Sequence, residues 1–182
     1  MKSLKIKKMV MVAVFAAISF ALQMIAPFPK VGGFLEIEFS DLPALTVAFA
    51  YGPVSGILVE FLKNLLHCTA STTGFVGEFA NFVVNGVFVG VAGLIYMKHK
   101  TFKVAMVSLI AATVSMAVAG IFVNLYIMLP LYMPTAPISV TMPLVLGTIL
   151  PFNLVKGAVI SLITMLIYKR ISPIIKFSGG EQ

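Results

Sequence analysis

The sequence predicts an all-α membrane protein: a six-transmembrane-helix bundle with short helices 2 and 3 and cytoplasmic N- and C-termini. Three observations carry this. Of 182 residues, 60% are hydrophobic and 10% are charged, against about 25% charged in a soluble domain. The apolar residues gather in runs near the ~20 residues that a membrane-spanning helix needs. The basic residues sit at the ends of those runs, as the positive-inside pattern requires. The same composition excludes a disordered chain, which needs low hydrophobicity and high charge. It leaves little room for a soluble catalytic domain beside the spans, so residues 1–182 read as one integral membrane domain. The net charge of +7 is then a topology signal, and nucleic acid is not expected as a partner. Cys68 is the sole cysteine, which excludes an internal disulfide and a Cys-cluster metal site.

Helix 1 is predicted over 9–26, after Lys2, Lys5, Lys7 and Lys8. This start looks like a signal peptide, but the run is long and Pro27 stands where a cleavage site would want a small residue. It therefore reads as an uncleaved span entering from the cytoplasm. Ala13, Ala17 and Ala21 recur every four residues, a small-residue face that packs either within this bundle or against another membrane protein. In the first loop, Phe34 to Phe39 alternates apolar and acidic residues. That pattern suits a short strand or a loop lying on the membrane surface, with Phe34 and Phe39 available to cover a flat ring.

Residues 41–68 hold either one span or two short helices, 42–51 and 53–68, broken at Gly52-Pro53. Proline removes a backbone donor and disfavours helix at the residue before it. Charge decides for two. With six helices, Lys2, Lys5, Lys7, Lys8, Lys98, Lys100, Lys103, Lys169, Arg170 and Lys176 all lie inside, and Lys30 alone lies outside. With five, the Lys98–Lys103 hairpin and the C-terminal end change sides, against the rule. Helix 2 would then rise only ~15 Å, so its neighbours must shield it. Helices 4, 5 and 6 are predicted over 74–97, 103–129 and 151–168, with a loop over 131–150. Nearly all the polar, non-basic residues collect at the end opposite the lysines, so a binding site would open outward.

An ionisable group inside a membrane helix costs at least ~2.5–3.5 kcal/mol at mid-depth, which makes Glu60, Lys63, Glu78 and Lys156 candidates. Glu60 and Lys63 share a face and suit a structural ion pair. Glu78, Asn81 and Asn85 share another, as pocket lining or as interhelical glue. Asn153 and Lys156 follow Pro151, and Lys156 has no acidic neighbour in its own helix. It pairs with Glu78 or Glu60 across the bundle, or donates to a ligand. Asn124 lies near the outer end of helix 5. Amides both donate and accept, so this set suits a neutral ligand rich in hydroxyls and carbonyls. There is no P-loop, no H-E-x-x-H and no G-x-S-x-G. His67 and His99 fall at opposite faces. No catalytic set and no metal site stand out.

Several segments resemble the riboflavin-specific S components of energy-coupling factor (ECF) transporters: residues 34–45, Gly52-Pro53, 59–67, Thr72-Thr73-Gly74 with 77–82, and Pro151-Phe152-Asn153-Leu154-Val155-Lys156-Gly157. The resemblance implies capture of riboflavin as transported ligand, with no cofactor, in an outward pocket covered by the first loop. It implies that Asn124, Asn153 and Lys156 hydrogen-bond the flavin; Asn81, Glu78, Gly77, Thr73, Leu35 and Phe39 are the further candidates for the site. It also implies that Ala13, Ala17 and Ala21 face a transmembrane coupling subunit (EcfT) bearing two cytoplasmic ATPase subunits. The expectation is a non-enzymatic, multi-pass protein of the cell membrane bilayer. The rivals are an S component for a flavin nucleotide or another vitamin, an intramembrane enzyme, and a scaffold subunit.

Overall fold

The computed structural model describes residues 2–25, 35, 37–71 and 74–179. Among these, six helices follow one another in chain order. α1 spans Lys2–Met24, α2 Asp41–Tyr51, α3 Pro53–His67 and α4 Val76–Tyr96. α5 runs Phe102–Val123, passes through a π-helical turn at Asn124–Met128 and ends with Leu129–Tyr132. α6 runs Ile138–Leu144, passes through a second π turn at Val145–Ile149 and continues over Leu150–Gly179. Four stretches are long and apolar enough to cross a membrane: Lys5–Met24, Val76–Tyr96, Phe102–Tyr132 and Ile138–Tyr168. α2 and α3 are too short to do so.

The break between α2 and α3 falls at Gly52, whose φ of 93° a side chain would strain, and Pro53 occupies the first turn of α3. α2 is buried almost all round, from Pro43 to Ala50. Close backbone approach makes that possible. A Cβ at Gly56 would lie 2.5 Å from Val89 and 2.6 Å from Ala48. A Cβ at Gly93 would lie 2.9 Å from the Pro53 backbone. Lipid tails supply no hydrophobic drive between helices, so such contact is what holds α2, α3 and α4 together.

Two expectations differ from the structure. The stretch 131–150 is not a loop throughout, because α6 begins at Ile138 with Pro143 inside it. Proline and Gly147 argue locally against helix. The π turn that follows takes up the mismatch, and Val145 and Ile149 bury against Leu129, with Leu35 packed on the cluster. Tertiary packing overrides the local signal. In the first loop, Leu35 makes an isolated β-bridge, but the described residues 37–39 form no strand, because the segment turns directly into α2 with Leu42 N donating to Phe39 O at 3.2 Å. Phe34 lies outside the described residues.

Candidate functional site

The helices run up and down, so the start of α2 and the ends of α1 and α3 gather at one end of the bundle. The start of α4, the π turn of α5 and the first turns of α6 after Leu150 join them there. Between them lies a cavity of about 160 Å³. Its wall includes Asn81, Asn85, Asn124, Asn153 and Lys156, together with Gly77, Glu78 and Leu35. The three helices expected to contribute amides thus meet at one place. Thr73 lies outside the described residues. Phe39 packs against the buried core instead of the cavity, while its neighbour Glu38 lines the cavity. Successive residues of a non-helical segment face opposite ways, which separates the two.

Asn124 and Asn153 are each held by their own helix. Asn124 Nδ2 donates to Gly120 O at 2.8 Å and Asn153 Nδ2 donates to Ile149 O at 2.9 Å. The Asn153 amide also lies against Gly120, where a Cβ would come within 2.5 Å of Nδ2. Asn85 Nδ2 donates to Asn81 Oδ1 at 2.9 Å, and Asn81 Nδ2 donates onward to Glu38 Oε1 at 3.2 Å. Asn81 and Asn85 therefore serve both as cavity wall and as glue.

The charged groups form a buried network that links the first loop, α2, α3 and α6. Lys63 Nζ lies 2.6 Å from Glu60 Oε2 and 2.9 Å from Asp41 Oδ1, and donates to Ser40 Oγ at 2.9 Å. The Glu60–Lys63 pairing matches the helical spacing. Lys156 pairs with neither Glu60 nor Glu78. Its Nζ lies 3.3 Å from Asp41 Oδ2 and 3.4 Å from Glu38 Oε1. Both partners are far away in sequence, so spacing within helices gave no hint of them. Glu78 is engaged locally instead: Oε1 lies 3.1 Å from His67 Nδ1, and Ser71 Oγ donates to Oε2 at 2.9 Å. These contacts join α4 to the end of α3.

Sequence reasoning missed Gln23, Glu38, His67, Met128, Tyr132 and Phe152 in the cavity wall. Gln23 had a signal, being the one amide in an apolar first helix. Ala13, Ala17 and Ala21 are exposed on α1 while Val12, Ala16 and Ser19 are buried. The alanine face is therefore not the face that packs into this bundle. No group of three or more His, Cys, Asp or Glu among the described residues is arranged to hold a metal ion.

Residues 7–168 match the family model for the ECF transporter, substrate-specific component. The chain is 35% identical over 175 residues to the riboflavin transporter RibU of Staphylococcus aureus, covering 93% of each. It is 35% identical over 179 residues to the riboflavin transporter FmnP of Bacillus subtilis, covering 93% of this chain and 94% of that one. A solved structure described as the S component of a bacterial ECF transporter superposes with a TM-score of 0.81 and 36% identity, covering 94% of this chain and 99% of that one. The chain belongs to the ECF transporter substrate-specific component family, a family of membrane transport proteins and not of enzymes.

Proposed function

We propose that this member of the ECF substrate-specific components captures riboflavin in the cavity between the first loop, α4, α5 and α6. The observation that carries the reading is the meeting of Asn81, Asn124, Asn153 and Lys156 around one cavity, in a chain whose curated relatives are riboflavin transporters. A largely apolar wall with a few fixed polar groups is what a small-molecule site requires. The amides read the edge of the flavin ring and Lys156 adds a donor. Leu35 and Phe152 supply apolar surface beside them.

The charge pattern supports an orientation. The lysines at 98, 100 and 103 lie at the end opposite the cavity, so that end faces the cytoplasm and the cavity opens outward in the cell membrane. Both termini are then cytoplasmic. The exposed face of Ala13, Ala17 and Ala21 docks on a transmembrane coupling subunit (EcfT), and two cytoplasmic ATPase subunits drive release. Riboflavin favours the docking shape only through contacts that differ between the two shapes.

The test is a small panel on the purified chain: riboflavin, a flavin nucleotide and thiamin. Riboflavin is expected to bind most tightly and Lys156→Ala to weaken it, because the substitution removes a donor and leaves Glu38 and Asp41 short of a partner. Preference for thiamin, or failure to bind any flavin, would overturn the reading.

A further inference from the structure

Two buried oxygens in the cavity wall have no hydrogen-bond partner among the described residues: Gln23 Oε1 on α1 and Glu38 Oε2 in the first loop. Their residues are 7% and 2% exposed, and both line the cavity. Leaving such an acceptor unmet is unfavourable, the more so when it carries charge. Each nearby amide nitrogen spends one of its two N–H groups within the protein. Asn81 Nδ2 is taken by Glu38 Oε1 and Asn85 Nδ2 by Asn81. Asn124 Nδ2 and Asn153 Nδ2 are taken by the carbonyls of Gly120 and Ile149. A backbone carbonyl only accepts, so these last contacts also fix which amide atom is nitrogen. Lys156 Nζ points at Glu38 Oε1 and Asp41. The wall therefore keeps a second N–H on each of these amides and, unpaired, the oxygens Gln23 Oε1 and Glu38 Oε2.

We infer that Gln23 and Glu38 are ligand-binding residues whose free oxygens accept hydrogen bonds from O–H or N–H donors of the bound compound. The inference rests on the capture of riboflavin in this cavity, a compound with one ring N–H and several hydroxyls. It makes α1 part of the binding site. α1 is also the helix that carries the exposed Ala13, Ala17 and Ala21, so ligand and docking face share one rigid element.

Gln23→Leu separates this role from a packing role, because the two predict opposite signs. Leu removes an unmet oxygen at similar bulk, so the ligand-free protein keeps or raises its unfolding temperature. Riboflavin affinity falls on the order of tenfold, the worth of one hydrogen bond from a buried acceptor. Glu38→Gln serves as the second variant. Repulsion from Lys156 turns its amide nitrogen away from Nζ, into the place of the accepting oxygen, and affinity should fall by at least as much. Wild-type affinity in Gln23→Leu, or a ligand-free protein destabilised in step with the affinity loss, overturns the inference. If the unaltered chain itself fails to bind riboflavin, the reading of the cavity falls first. If it binds and both variants match it, this inference alone falls.

Discussion

The two ends of the bundle both bury polar groups, but they treat them differently. At the lysine end, the hydroxyls of Tyr96 and Tyr168 meet at 2.7 Å, both residues buried. Phe49 packs on Tyr96 at 4.2 Å between ring centroids, and Phe102 packs edge-on to Tyr168 at 5.5 Å. Each hydroxyl satisfies the other, and the rings close around them. At the cavity end, amides and carboxylates are held in place, yet Gln23 and Glu38, both lining the cavity, each keep an oxygen without a partner among the described residues. A closed polar pair fixes a fold, whereas an open set held rigidly offers sites to a ligand. The comparison thus assigns stability to one end and recognition to the other, with the Lys63 network bracing the second from beneath.

The largest expected effect comes from that brace. Lys63→Met leaves Asp41 and Glu60 buried without their shared cation, which should cost about 3–5 kcal/mol. Denaturant unfolding of the purified protein measures it, and a loss below 1 kcal/mol would show that the network is not a brace. Gly120→Ala acts on recognition. Its Cβ would meet the Asn153 amide at 2.5 Å, and the flexible side chain yields before the backbone does. Riboflavin affinity should fall roughly tenfold, the scale of one misplaced hydrogen bond, with the unfolding midpoint nearly unchanged. Tyr96→Phe is the converse. It leaves the Tyr168 hydroxyl alone and should lower stability by about 1–1.5 kcal/mol with riboflavin affinity untouched. A change in affinity there would join the two ends that the comparison separates. Ala17→Leu should have the smallest effect on the isolated chain, within about ±0.5 kcal/mol, because the face is exposed. Vitamin uptake by cells should nevertheless be lost. Unfolding of Ala17→Leu would place the alanine face inside the bundle.

The sequence made the lysine end and the helix count readable because both depend on local composition. Lys98, Lys100 and Lys103 mark a hairpin, and Gly52-Pro53 marks a break, without knowledge of any distant contact. Asn153 and Lys156 were readable through their shared helical face. The partners of Lys156 were not, because Glu38 lies 118 residues away and helical spacing carries no information at that range. The early start of α6 was hidden because Pro143 and Gly147 argue against helix locally, and only burial of Val145 and Ile149 against Leu129 decides otherwise. Gln23 was visible as a lone amide, but its lack of a partner is a property of the packed bundle alone.

The most direct test of the division between the two ends is an equilibrium titration of the purified chain with riboflavin, followed by flavin fluorescence. The unaltered chain and Tyr96→Phe should saturate alike at one flavin per chain, and Asn153→Ala should bind at least tenfold more weakly. No saturable binding, or equal losses in Tyr96→Phe and Asn153→Ala, would contradict it.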